Sequence, residues 1–322
     1  MLPAIDELLD RLHVVALPMR VRFRGITVRE VALIEGPFGW GEFGPFPEYP
    51  PGQAQAWLAA GIESAYRPRP PARRERIPIN ATVPAVPATE VAEVLARFPG
   101  SRTAKVKVAE PGQTLVDDVD RVNAVRAVIP TVRVDANAGW TVDDAVAAAR
   151  ALTADGPLEY IEQPCRTVPE LAEVRRRVSV PIAADESIRN ADDPLAVVRA
   201  GAADVAVLKV APLGGIRALL EIAGRIDIPV VVSSALDSAV GIAAGLAAAA
   251  ALPRLDHACG LGTGGLFTAD VADLTVRAGF LDAVTAVAPD PARLAELAAA
   301  PARRDWWRER VRLCHALLAS CG

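Results

Sequence analysis

Lysine is almost missing from this chain. Of its 35 basic residues 32 are arginine, and the only lysines are Lys105, Lys107 and Lys209. Arginine keeps its proton near neutral pH, whereas a buried lysine can give one up and take it back. The three lysines therefore attract a chemical role before any motif is considered. Cysteine is sparse as well. Cys165, Cys259, Cys314 and Cys321 form no C-x-x-C pair, which excludes a disulfide scaffold and points to reduced thiols in a cytoplasmic protein. His13, His257 and His315 form no H-x-x-x-H pair, which argues against a histidine zinc site. Positive charge is not in excess: the net charge is −4, so there is no basic field for nucleic acid. The longest uncharged stretch, residues 238–253, is shorter than the ~20 residues a membrane span needs. Asp6, Glu7 and Asp10 stand where a signal peptide would carry a basic start and an apolar stretch.

What is present is an ordinary globular composition, 52% apolar and 23% charged over 322 residues, enough for a sizeable core. Short apolar runs ending in a polar or charged residue recur along the chain. They end at Thr82, Lys107, Asp135, Glu162, Asp185, Lys209 and Ser233, with a weaker eighth at His257. The steps are 25, 28, 27, 23, 24, 24 and 24 residues, the length of a strand, a loop and a helix. Eight runs at such even steps predict a closed parallel barrel of the (β/α)8 kind rather than an open sheet. Thr141 and Thr167, each followed three residues later by an acid, predict helix starts, and Pro169 fits the first turn of the second. Residues 1–75 read as a separate α+β domain with a strand over 28–34, a Gly39-Trp40-Gly41-Glu42 segment and a helix over 54–66. Residues 76–285 read as the barrel, and 286–322 as a helical segment whose docking is left open.

Residues at the C-terminal ends of barrel strands converge on one site, and alternate residues share a face. Lys105 and Lys107 both point inward on this pattern. The next three runs end in Asp135, Glu162 and Asp185, and the sixth in Lys209. Three carboxylates on three adjacent strands make a hard oxygen cage suited to Mg²⁺, with lysines on either side of it. An acid at one strand end is ordinarily a helix cap, and a lone inward lysine an ordinary ion-pair partner. Six such residues at a regular period are harder to obtain by chance.

Lys105-Val106-Lys107, Asp135-Ala136-Asn137, Glu162-Gln163-Pro164, Asp185-Glu186-Ser187 and Leu208-Lys209 together resemble the signature of the enolase superfamily, in its muconate-lactonising subgroup. The resemblance implies a (β/α)7β barrel closed by an N-terminal capping domain, and a small carboxylate substrate. It implies one Mg²⁺ on Asp135, Glu162 and Asp185, and Lys107 and Lys209 as the acid/base pair. Lys105 would lower the pKa of Lys107 as a like charge, and Asn137, Glu186, Ser233, Gly260 and Gly262 would support the site or meet the substrate. The seventh run has no histidine, unlike the mandelate-racemase type, and residues 258–262 lack the Asp-x-Asp of dipeptide epimerases. Residues 40–45 and Ser233-Ser234 are most similar to the dehydrating branch of the subgroup. Its members form 2-succinylbenzoate from 2-succinyl-6-hydroxy-2,4-cyclohexadiene-1-carboxylate for menaquinone biosynthesis. N-acylamino-acid racemisation stays open as the alternative. The G-x-G-x-x-G match over residues 260–265 follows the eighth run, not the first, and so reads as a loop near substrate rather than a dinucleotide site. The arginines of 73–76 and 175–177 read as solvated faces.

Overall fold

The computed structural model describes residues 2–189, 193–283 and 287–320. Cys321 and the expected boundary at 285/286 lie outside them.

The N-terminal region begins with α1 (Ile5–Asp10), followed by β1 (Leu12–Phe23), β2 (Ile26–Gly36) and β3 (Gly39–Phe43) in one antiparallel sheet. β1 escapes a reading by alternation because Pro18 interrupts it, and its register with β2 shifts between Pro18 and Phe23. α2 (Pro51–Tyr66) lies directly on β3. The approach is so close that a Cβ at Gly41 would meet the Gly61 carbonyl oxygen at 1.9 Å, so a side chain there would push helix and sheet apart.

The barrel opens with β4 (Arg76–Pro78) and the first inner strand, β5 (Asn80–Val83). It continues through α3 (Val91–Leu95), β6 (Thr103–Lys107), α4 (Leu115–Arg126), β7 (Thr131–Asp135) and α5 (Val142–Leu152). Then come β8 (Ile161–Glu162), α6 (Val168–Arg177), β9 (Ile182–Ala184), α7 (Glu186–Arg189), α8 (Ala196–Arg199) and β10 (Val205–Leu208). α9 (Ile216–Ala223), β11 (Val230–Val232) and α10 (Ala239–Ala251) complete the repeat. β5 to β11 form one parallel sheet in sequence order. Thr141 and Thr167 cap α5 and α6 as their spacing predicts, and Thr114 caps α4 with a reciprocal bond from Asp117.

The eighth stave differs from expectation. The residues that close the ring are Cys259 and Gly260, two and three positions beyond His257. Cys259 bridges to Ile79, and Gly260 to Ser233. These are single bridges rather than a strand, because this stretch has none of the β-branched residues that favour a pleated run. The polypeptide then pairs β12 (Phe280–Asp282) with β4 beneath the barrel. Arg74, expected on a solvated face, reaches the carbonyl end of α10 and donates to Leu252 at 2.8 Å.

α11 (Pro291–Glu296) and α12 (Pro301–Ser320) return to the N-terminal region. Trp307 of α12 is buried with its ring edge-on to Phe43, 5.6 Å between centroids, and Arg303 grips Glu30 of β2. One apolar cluster contains residues of β1 to β3, α2 and α12, and also Ala235, Leu236, Leu266 and Phe267 of the barrel loops and Val240 of α10. The capping sheet and the loops at the mouth of the barrel therefore share a core. Among the described residues no helix is long and apolar enough to cross a membrane.

Candidate active site

Register places the chemistry. Lys107 of β6 lies opposite Asp135 of β7, and Asp135 opposite Glu162 of β8. Asp185 follows the end of β9, and Lys209 the end of β10. β6 and β10 are four staves apart in an eight-membered ring, so Lys107 and Lys209 face each other across it with the three acids between them on one side.

Each outer acid holds the lysine nearest to it. Lys107 Nζ is 2.6 Å from Asp135 Oδ2, and Lys209 Nζ is 2.6 Å from Asp185 Oδ2. Lys105 Nζ sits 2.8 Å from Glu162 Oε1 and 3.2 Å from Asp135 Oδ2. Burial, reinforced by the charge of Lys105, pulls the Lys107 ammonium below the ordinary lysine range even though Asp135 opposes the shift. For Lys105 burial acts the same way, but Glu162 and Asp135 win and hold it charged. Burial also opposes ionisation of Asp135 and Asp185. Lys107 and Lys105 overcome it at Asp135, and Lys209 and Arg189 hold Asp185 down at about 2. Glu162 behaves in the opposite sense: burial and the neighbouring Asp135 raise it to about 7.

Among the described residues no three acidic, histidine or cysteine side chains are gathered as a ready metal cage, because the carboxylates are drawn to the ammonium groups. The donor set nevertheless fits a hard divalent cation. Glu162 Oε2 is buried with no hydrogen-bond partner, and burial with the neighbouring Asp135 works against the charge of Glu162. An oxygen-seeking cation supplies what that atom lacks.

Gln163 and Arg189, not singled out as site residues in the sequence, support this arrangement together with Asn137. Gln163, fully buried, accepts from the Asp185 and Ser187 amides at 3.0 and 3.1 Å and donates to Ser187 Oγ at 2.7 Å. Arg189 donates to Asp185 at 3.1 Å, to Glu186 at 2.7 Å and to the Tyr49 hydroxyl of the N-terminal region at 2.6 Å. Its spacing of four residues from Asp185 on a helical turn was the available signal. Asn137 accepts from Lys107 and donates to Glu186 at 3.2 Å.

A cavity of about 30 Å³ lies among these groups, lined by Lys105, Lys107, Asp135, Asn137 and Lys209 and, on the far side, by Ser233, Ser234, Gly260 and Thr263. Phe23 and Arg24 cover it from the β1 to β2 turn. A second cavity of about 360 Å³ shares Phe23, Arg24, Lys107 and Asn137 with it. Phe23 and Arg24 thus stand between the small cavity and the larger one. Gly262, expected beside substrate, packs against Ile79 and Phe98 instead, and Glu186 supports Arg189 and Asn137 from outside the cavity wall. A roomier hollow of about 600 Å³ reaches Gly262, Gly264, Asp270 and Arg293, but none of the lysines or the three acids lines it.

Residues 14–65 match the family described as Enolase N-terminal domain-like, and residues 88–290 that described as Enolase C-terminal domain-like. A curated o-succinylbenzoate synthase of Mycobacterium marinum is 74% identical over 314 residues, 98% of this chain and 96% of that one. The chain belongs to the o-succinylbenzoate synthase family of the enolase superfamily. The synthase of Mycobacterium tuberculosis is also 74% identical, over 318 residues, 98% of this chain and 97% of the other. Among solved structures, muconate lactonizing enzyme from Pseudomonas fluorescens, complexed with muconolactone, superposes with a TM-score of 0.76. It is 22% identical and covers 90% of this chain and 98% of its own, a likeness of fold.

Proposed function

We infer that the protein dehydrates 2-succinyl-6-hydroxy-2,4-cyclohexadiene-1-carboxylate to 2-succinylbenzoate, a lyase step of menaquinone biosynthesis. The observation that carries the reading is the pair of lysines facing each other across the ring, beside three adjacent carboxylates, in a chain 74% identical to curated synthases. Asp135, Glu162 and Asp185 would hold one Mg²⁺, which when bound offsets the negative charge that develops on the substrate carboxylate.

The chain's own groups do the rest. Lys107, whose burial favours the neutral amine, takes the proton α to the carboxylate. Lys209, paired with Asp185, lies opposite and stabilises the ene-diolate. The ring C–O bond then breaks, the proton on Lys107 passes to the departing hydroxyl, and water leaves an aromatic ring. Lys105 stays charged on Glu162 and Asp135, so it holds the carboxylates in place and keeps a like charge beside Lys107. Ser233, Ser234 and Thr263 offer hydroxyls on the wall away from the acids. The buried, unpaired thiols of Cys165, Cys259 and Cys314 fit a reducing cytoplasm.

The facing lysines also suit proton exchange on both faces of an N-acylamino acid, and this is the second reading. Rates of the wild type on both substrate classes with Mg²⁺ decide between them. The dehydratase reading expects the higher kcat/KM for the cyclohexadiene, and the reverse order overturns it.

A further inference from the structure

The loop after β11, residues 233–238, forms the wall of the catalytic cavity through Ser233, Ser234, Ala235 and Leu236. Leu236 has φ of +62°, a left-handed backbone that a branched side chain seldom adopts, so something must hold it. The holding groups come from the N-terminal region. Arg29 of β2 is buried, donates from Nε to the Leu236 carbonyl at 3.1 Å and caps the Gly44 carbonyl with Nη2. Two residues along the same loop, the Ser238 amide donates to Glu42 Oε2 of β3 at 2.9 Å, and the Ser238 hydroxyl donates to the same oxygen.

We propose that Arg29 and Glu42 are positioning residues that clamp the loop of residues 233–238 from the capping sheet and so set the substrate-binding wall of the barrel. Nothing in the chemistry of the lysines requires either residue, and neither lines the cavity. Three observations make the clamp specific. Gly41 and Gly61 let β3 rest against α2, which fixes the height of Glu42. In the first turn of α10 a Cβ on Gly241 would fall 2.7 Å from Asp237 Cβ and 3.0 Å from Glu42 Cδ, so the clamp closes only over a glycine. Finally, Arg29 stacks on the Phe46 ring at 4.3 Å, and Arg24, which covers the cavity from its other side, stacks on the same ring at 4.7 Å. One aromatic ring thus connects the covering turn with the loop it meets.

The inference rests on the dehydratase reading for its assay. Glu42→Gln keeps an acceptor for Ser238, whereas Glu42→Asp retains the charge but withdraws it by one methylene. The expected result is near wild-type kinetics for Glu42→Gln. For Glu42→Asp, KM for the cyclohexadiene rises about tenfold while kcat changes less than about threefold, the signature of lost binding rather than lost chemistry. Amide hydrogen exchange of Glu42→Asp should quicken in residues 233–238 and not across the barrel. An unchanged KM in Glu42→Asp, or exchange that quickens everywhere, overturns the clamp. Should Glu42→Asp not fold, Arg29→Lys carries the same expectation, because a single ammonium replaces a planar fork that holds the Leu236 and Gly44 carbonyls together. A wild type without dehydratase activity would remove the functional reading alone. The clamp would then be read from the same KM split on the N-acylamino acid it racemises.

Discussion

One barrel holds two buried ionic clusters on the same strands. At the upper end are Asp135, Glu162, Asp185 and the three lysines. Toward the lower end β7 contributes Arg133, whose Nη1 donates to the Tyr160 hydroxyl at 2.7 Å and to the Ala258 carbonyl at 3.0 Å. Its Nη2 lies 2.7 Å from Glu159, an ion pair without the direction of a hydrogen bond, and His257 Nδ1 meets the same carboxylate at 2.8 Å. Arg133 is as deeply buried as the upper acids, while Glu159 and His257 stay partly exposed. The upper cluster lines a cavity, whereas the lower one lines none of the cavities near the lysines and ties its arginine to the residues just ahead of β8 and of the closing stave. The lower cluster plugs the barrel, and the upper one is arranged to receive charge. Position agrees, since the C-terminal end of a barrel is where loops gather and the N-terminal end is where stability is built.

The largest effect that can break this contrast is on turnover. Lys107→Ala and Lys209→Ala should each lower kcat for dehydration by at least ~1000-fold with an unchanged circular dichroism spectrum, as expected for loss of an acid/base or charge-stabilising group. Arg133→Met, equally buried, should leave kcat of the folded fraction within about twofold of wild type, since it touches no reacting atom. If Arg133→Met lost turnover while folded, the division of the barrel into two functions would fail.

Metal comes next. Calorimetric titration should show Mg²⁺ binding to the wild type, weakened at least ~10-fold in Asp185→Asn, and thorough chelation should stop turnover. Glu159→Gln should bind the ion as the wild type does. Equal affinity in Asp185→Asn would move the metal away from the upper cluster.

Stability should show the reverse ranking. Arg133→Met removes one partner from a buried pair and should cost about 3 kcal/mol in urea unfolding. Lys209→Met should cost less. It removes a buried ammonium from Asp185, but Arg189 remains bonded to that carboxylate at 3.1 Å.

Much of this was legible because a barrel repeats its logic. Each run ending in an acid or a lysine lies at a strand end, and the even steps carried the closure of the ring. The failures have local causes. The eighth stave is a pair of bridges at Cys259 and Gly260, too short to leave an alternating pattern. β1 is interrupted by Pro18. The docking of α12 hangs on Trp307, and a lone tryptophan gives no sign of its partner Phe43, more than 260 residues away. Gly262 looked like a substrate contact because it belongs to a glycine-rich stretch, but its lack of a Cβ serves close packing on Ile79 and Phe98. Arg29 and Glu42 were hidden for the same reason as Trp307: each bonds to a loop some 200 residues along the chain.

The smallest expected effect is a pH dependence confined to the lower cluster. Burial works against the Glu159 carboxylate, but His257 and Arg133 overcome it and hold the carboxyl below the ordinary glutamate range. A carboxyl whose folded pKa is depressed contributes stability above its unfolded pKa, and loses it as pH falls through the folded value. Glu159→Gln keeps an acceptor oxygen and cannot titrate. The advantage of wild type over Glu159→Gln should therefore be full near pH 6 and shrink by roughly 1 kcal/mol as the pH is lowered toward about 3, the scale of a partly screened pair. Urea unfolding of both proteins across that range reads the difference directly. A constant gap would mean that the pair of Arg133 and His257 on Glu159 adds packing without charge, and the lower cluster would then be an apolar plug that happens to contain ions.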